Sequence, residues 1–342
     1  MPMRRASIAV IGIFLLASCS VGEGAEGDSL TLRLGYFPNV THAPAIVGIE
    51  NGILADALGS DVVLEPHAFN AGPEVVEAIL KGALDASYIG PNPAINAFAQ
   101  SNGEAIRIVA GTTSGGAALV VRDGITSPDQ LAGTTLATPQ LGNTQDVALR
   151  AWLLEQGYET DLEGGGDVSI TPQANADALN AFVAGEIDGA WVPEPWWTRM
   201  VEEGGGHVLV NEADLWPDGR FVTTHLIVAT EFLEAHPDVV KRLIEGHVAA
   251  IDFTNENPEA AQEVVIAAIE ELSGSQLSPD TLATAWENLE FTVDPIAASL
   301  ETSAQHAIEL GLLDSVDLDG IYDLTPLNEV LSEAGQEEIP TP

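Results

Sequence analysis

The chain has 342 residues, enough for two lobes each with its own core. Its 52 acidic residues against 11 basic ones give a net charge of −41, which excludes nucleic acid as a partner and disfavours adsorption to anionic lipid. Apolar residues make up 46% of the sequence, which excludes disorder despite the charge.

Residues 1–18 read as a leader: Arg4 and Arg5 precede an apolar run at 8–16 that is too short to span a bilayer as a helix. Cys19 is the single cysteine, so no disulfide can form within the chain. Residues 19–29 form a polar tether rich in Gly, Glu, Ala and Ser. Strands and helices then alternate. The spacing predicts strands at 30–36, 62–69, 84–90 and 106–111, with helices at 45–49, 73–81 and 94–100 between them. A strand at 117–122 opens a second series, with strands at 134–137, 168–171 and 187–192 and helices at 147–154 and 176–184, the latter capped by Asn175. Strands at 208–210 and 221–229 follow, and the remainder is amphipathic helix broken at Pro237, Pro258 and Pro295.

The two series share a pattern. Helix end, Gly, apolar residue, Asp occurs at Gly82-Ala-Leu-Asp85 and again at Gly185-Glu-Ile-Asp188. Each is followed by a strand that runs into a Pro-rich turn, Pro91-Asn92-Pro93 in one and Pro193-Glu194-Pro195 in the other. Two α/β lobes imply a cleft, with ligand groups at the carboxyl ends of the strands. The stretch 137–146 fits that place. Asn143 is a candidate N-cap, Asp146 suits the first turn, and the free N–H groups of such a turn can hold a small oxyanion without a cationic side chain. The same residues also make an ordinary capped helix. Arg150, the nearest cation, is expected from its place on that helix to lie outside the cleft. Catalytic wiring is absent from the pattern: Ser114 has no His or acid close in sequence, the seven histidines are scattered, and no spacing suggests a metal site or a cofactor.

Several motifs carry a family resemblance. Leu16-Ala17-Ser18-Cys19 matches the lipobox of bacterial lipoproteins, and Gly35-Tyr36, Phe69-Asn-Ala-Gly-Pro73, Ile89-Gly-Pro-Asn-Pro93, Thr138-Pro-Gln140 through Gln145 and Phe232-Leu-Glu-Ala-His-Pro237 recur in one group of proteins. Over about residues 30–335 the chain resembles the substrate-binding lipoproteins of ABC importers, in the aliphatic-sulfonate, taurine and nitrate/bicarbonate-binding group. The 69–73 stretch is most similar to sulfonate binders, whereas Glu194-Pro-Trp196 is more similar to nitrate and bicarbonate binders.

The resemblance implies a two-lobed type II periplasmic-binding fold, each lobe a mostly parallel sheet flanked by helices, with a helical C-terminal region. Lobe 1 would comprise 30–116 and 226–335, lobe 2 would comprise 117–225, and 336–342 would be a tail. It implies acylation of Cys19, a lipid anchor on the outer face of the cell membrane, a permease with a cytoplasmic ATPase as partner, and a monomer with no cofactor and no catalysis. The implied ligand-binding positions are Asn39, His42, Asn92, Ser114, Gly115, Gln140, Asn143, Thr144, Gln145, Trp191, Glu194 and Thr224, with Phe37 completing the wall. Some of these have a second reading. Asn92 is also a natural turn residue, Trp191 also suits packing, and a carboxylate at Glu194 repels a sulfonate unless the ligand carries an ammonium or the side chain turns away. The expected ligand is a small organosulfonate, with nitrate, bicarbonate, taurine or a thiamine-precursor-like heterocycle as alternatives. A sensory lipoprotein or an enzyme on the same fold are the alternatives of another class.

Overall fold

The computed structural model describes residues 29–274 and 276–342. The leader, Cys19 and the tether up to residue 28 lie outside the described residues. The strands are β1 (Leu30–Tyr36), β2 (Val62–Ala68), β3 (Ala86–Ile89), β4 (Ile106–Gly115), β5 (Ala117–Val121), β6 (Thr135–Thr138), β7 (Ser169–Pro172), β8 (Gly189–Pro193), β9 (His207–Asn211), β10 (Val222–Ala229) and β11 (Leu289–Phe291). They form two sheets, ordered β11-β4-β10-β3-β1-β2 and β7-β6-β8-β5-β9. Apart from the edge strand β11, the two orders are the same: second, first, third, crossing strand, fourth. The sequence repeat is thus a repeat of topology.

In both sheets most strands run the same way, as expected, and the crossing strands make them mixed. Pairs β1–β2, β1–β3, β6–β7 and β6–β8 are parallel. The crossing strands β10 and β5 run antiparallel to both neighbours. The reason is connectivity. Each crossing strand enters from the opposite lobe and therefore runs against the strands built within the lobe. β10 pairs with β4 from Val222 to Ala229, so the chain rejoins the first sheet before the boundary expected at 226. Alternating side chains fill a core on each face of each sheet. Along β5, Ala118 and Val120 pack with Phe182 and Met200, while Leu119 and Val121 pack with Trp152 and Ile170.

Three elements were invisible to periodicity. Helix Ile53–Leu58 is a short segment between two positive-φ glycines, Gly52 and Gly59; helix Trp196–Gly204 starts inside the Pro-rich turn; and β11 has only three residues.

The repeated Asp has a mechanical role. Asp85 Oδ2 accepts the backbone N–H of Arg33 in β1 at 2.8 Å and also the Arg33 side-chain Nε at 2.9 Å. In the second lobe, Asp188 Oδ2 accepts the N–H of Thr135 in β6 at 2.9 Å and its Oδ1 pairs with Arg122 Nε at 3.1 Å. Each carboxylate ties the lead-in of a lobe's third strand to the backbone of its first. The side chain of Asp85 is 9% exposed and that of Asp188 is 36% exposed. Asp85→Ala should therefore lower stability in urea melts by roughly 1–3 kcal/mol, and Asp188→Ala by less. A reversed order, or no loss at either site, would contradict this assignment.

Candidate functional site

Between the two sheets lies a small, partly open pocket of about 30 Å³. Its wall is drawn from the carboxyl end of every parallel strand in both lobes. Phe37, Asn39, Thr41 and His42 follow β1, Asn70 to Gly72 follow β2, and Gly90 and Pro93 follow β3. From the other lobe come Pro139, Asn143, Thr144 and Gln145 after β6, Asn175 after β7, and Pro193 at the end of β8. Thr223 of β10 completes it.

Helices start at these positions: Gly72–Leu80, Pro91–Gln100, Thr144–Glu155 and Asn175–Ala184, with Ala43–Glu50 directly after His42. Their first turns border one small volume, where Pro44, Pro73, Pro91 and Pro93 contribute no N–H and the remaining first-turn groups do. Closure is tight. A Cβ on Gly90 would lie 2.3 Å from Thr144 Oγ1, so a side chain at residue 90 would force the Thr144 hydroxyl to move.

No wall residue carries a formal charge. His42 is 2% exposed, and burial pushes its imidazole down to about 3. The Phe37 N–H donates to His42 Nδ1 at 3.3 Å, which fixes the neutral tautomer with the proton on Nε2. Asn39 Oδ1 accepts the indole N–H of Trp196 at 2.9 Å, a bond from one lobe to the other. Asn143 caps its helix as expected, its Oδ1 accepting from Asp146 N at 3.0 Å, and its Nδ2 donates to Gln145 Oε1 at 3.2 Å. Thr144 Oγ1 and Asn175 Oδ1 are buried without a hydrogen-bond partner among the described residues. Asn175 had been expected as a helix cap. It is instead the first helical residue, which leaves its side chain free to line the cavity.

Of the sequence-predicted positions, Asn39, His42, Asn143, Thr144 and Gln145 are brought together at the cavity. Others lie elsewhere. Asn92 sits in a helical first turn and donates to the Ser303 carbonyl at 3.1 Å. Gln140 lies outside the wall, its Oε1 buried without a partner among the described residues. Ser114 Oγ accepts from Phe221 N at 3.3 Å, and Gly115, with φ of +81°, forms the crossing and accepts the Thr223 hydroxyl. Thr224 donates to the Thr41 carbonyl at 3.0 Å and so positions the wall from behind. Trp191 packs on Trp152 with ring centroids 5.9 Å apart and donates to Glu212 Oε2 at 2.7 Å, on the sheet face that turns into the lobe core.

Glu194 turns away from the cavity. Its Oε1 accepts the Thr198 hydroxyl and the amide of Asn288, each at 2.8 Å, the second across the lobes. Full burial without a cation pushes its carboxyl up to about 8. Arg150 lies outside the cavity wall, as expected, and is buried there at 1% exposure. Asp146 at i and Arg150 at i+4 share an inward face, with Nε 3.0 Å from Oδ2. Asp146 also accepts Thr138 Oγ1 at 2.8 Å and Gly142 N at 3.0 Å, which ties the loop to its helix.

The wall residues that sequence reading missed are Thr41, Asn70 to Gly72, Gly90, Pro93, Pro139, Asn175, Pro193 and Thr223. Most stand at strand carboxyl ends, so the same rule applied to β2 and β7 would have found several of them. Among the described residues no group of His, Cys, Asp and Glu could hold a metal ion.

A sequence profile of the NMT1-like family matches residues 25–269. The taurine-binding periplasmic protein of Escherichia coli (strain K12) is 25% identical over 308 residues, covering 86% of this chain and 91% of that one. A Bacillus subtilis (strain 168) protein named for binding aliphatic sulfonates is 25% identical over 343 residues, covering 97% and 98%. Among solved structures, the alkanesulfonate-binding protein SsuA from Xanthomonas axonopodis pv. citri bound to MOPS superposes with a TM-score of 0.71 at 19% identity, over 87% of this chain and 99% of that one. That last likeness is one of fold.

The state of Glu194 gives a stability test. Its folded pKa, about 8, lies above the ordinary 4.5, so its favourable contribution is complete below pH 4.5 and is lost as pH rises through 8. Glu194→Gln should therefore melt above the wild type at pH 8, with the gap closing as pH falls towards 4.5. A gap that does not change with pH would sink this reading.

Proposed function

The chain belongs to the NMT1-like family, and on that premise we propose that it is the extracytoplasmic solute-binding subunit of an ABC importer. In this reading it captures a small organosulfonate between its lobes and delivers it to a membrane permease. One observation carries the proposal: helix N-termini from both lobes border a small, uncharged cavity whose polar groups include uncommitted ones. Such a site stabilises a compact anionic head group through local donors, among them the Thr144 hydroxyl and first-turn N–H groups. His42 Nε2 and the amide of Asn175 would add to them. The relatives named for taurine and aliphatic sulfonates support the same ligand class.

Further parts of the reading follow from it. Gly115 and the segment before Val222 act as the two hinges between lobe 1 and lobe 2. Cys19 carries the lipid anchor, the protein works as a monomer on the outer face of the membrane, and it turns nothing over. Ligand contacts from both lobes favour the closed form, and the closed form is what the permease recognises. Within the sulfonate class, the wall lacks a carboxylate for an ammonium group. Short alkanesulfonates should thus be preferred to taurine.

A thermal-shift panel of methanesulfonate, ethanesulfonate, taurine, nitrate, bicarbonate and a pyrimidine heterocycle tests this. Ligand at a hundred times its Kd adds about 2.7 kcal/mol, so the shift is measurable. The alkanesulfonates should raise Tm most. A shift only with a neutral or cationic heterocycle would overturn the ligand class.

Two variants test the geometry. Thr144→Val with Gln145→Ala removes two wall polar groups worth about 1 kcal/mol each, so methanesulfonate affinity should fall about tenfold or more. Gly90→Ala suits the local backbone, with φ of −72°, but displaces the Thr144 hydroxyl. It should bind weakly while keeping its ligand-free Tm. Unchanged affinity in either variant would place the site elsewhere.

A further inference from the structure

A second cavity, of about 220 Å³, lies on the seam between the lobes and shares no lining residue with the first. Lobe 2 supplies Trp152 and Glu155 from helix Thr144–Glu155, together with Glu212 and Trp216 from the segment after β9. Thr302 and His306 of helix Ala297–Glu309 close it from lobe 1. Two indoles and two carboxylates therefore surround one space.

The walls are held in place. Trp216 stacks on Phe221, with centroids 5.6 Å apart and planes 11° from parallel, and Trp152 is braced by Trp191. Glu212 is 2% exposed, with Oε2 accepting the Trp191 N–H at 2.7 Å. It has hydrogen-bond donors but no cationic partner among the described residues. Aromatic faces carry negative charge density, and although burial pushes the Glu212 carboxyl up to about 7, at pH 8 its charge adds to it. An anion is disfavoured here, and a metal ion lacks the ligands it needs, since no metal-competent group exists among the described residues.

We propose that this seam cavity is a second binding site, for a small organic monocation such as a methylated ammonium or a protonated amine. The cation lies against the faces of Trp152 and Trp216, with Glu212 and Glu155 as counter-charges. The strongly acidic surface raises the local concentration of such cations. Because the occupant touches both lobes, it favours the closed form, and its binding is reciprocally coupled to ligand in the main cavity. The site depends on no assignment of the main ligand.

Tetramethylammonium is the probe, titrated at pH 8 against sodium chloride of equal ionic strength. Tryptophan fluorescence should change saturably with a midpoint in the millimolar range, and the methyl proton resonance of the probe should broaden. Trp216→Ala should weaken the affinity about tenfold, the loss of one desolvated cation–π wall. Thr302→Arg places a cation at the exposed lobe 1 rim without touching the core, and it should abolish binding even if Trp216→Ala fails to fold. An identical response to sodium chloride would reduce the effect to general counter-ion attraction and overturn the site. So would wild-type affinity in folded Trp216→Ala or in Thr302→Arg.

Discussion

The structure depends on one close approach, that of Gly90 to Thr144. Each stands at the start of a helix that follows a parallel strand, β3 in one lobe and β6 in the other. A parallel strand delivers its chain at its carboxyl end, and the helix that returns the chain begins there with unpartnered N–H groups. Repeating the topology in two lobes and turning them face to face brings six such ends together. The missing Cβ at residue 90 lets them come within contact distance. A side chain there would displace the Thr144 hydroxyl, one of the wall's polar groups.

What holds the lobes closed is sparse and polar. Asn39 bonds Trp196, Asn288 bonds Glu194, and Thr281 Oγ1 donates to Glu202 Oε2 at 2.7 Å. Each apolar cluster, by contrast, is built around a face of a single sheet. Opening therefore exchanges a few hydrogen bonds for water and leaves both cores intact, which is the energetic condition for reversible domain motion. Behind the wall, Thr113 and Thr224 both donate to the Thr41 carbonyl, at 2.7 and 3.0 Å, which pins the 39–42 turn to the first sheet.

The repeat was readable because it is local. Gly, apolar residue and Asp recur at a fixed place before a strand, and that Asp has the same hydrogen-bonding task in both lobes. The helix starting at Thr144 was readable because Asn143 caps it through its own side chain. Direction in depth was not readable. Trp191 and Pro193 lie two apart on one strand, yet the indole faces the lobe core while the proline lines the cavity. The strand's end, where regular alternation gives way to a turn, decides this. The burial of Arg150 was unreadable for a related reason: residues at i and i+4 share a face, but sequence does not say whether that face meets water or a loop folded back over it.

The same burial answers how an acidic chain can present a site without negative charge. Three ionisable groups lie in or near the jaws, and each is silenced differently. Asp146 is paired with Arg150 and spends its remaining lone pairs on Thr138 and Gly142. Glu194, buried with neutral donors only, keeps its proton at neutral pH. His42 loses its proton for the mirror-image reason, since burial disfavours a cation as much as an anion. What remains facing the cavity is dipoles, from amides, hydroxyls and helix starts. These act over a few ångströms, whereas the field of −41 charges acts over a Debye length of about 8–10 Å and is weakened by salt. In the proposed reading an anion is thus repelled on approach and held on arrival. The acidic surface hinders its association while leaving the short-range donors unaltered, so rising ionic strength removes the obstacle without removing the grip.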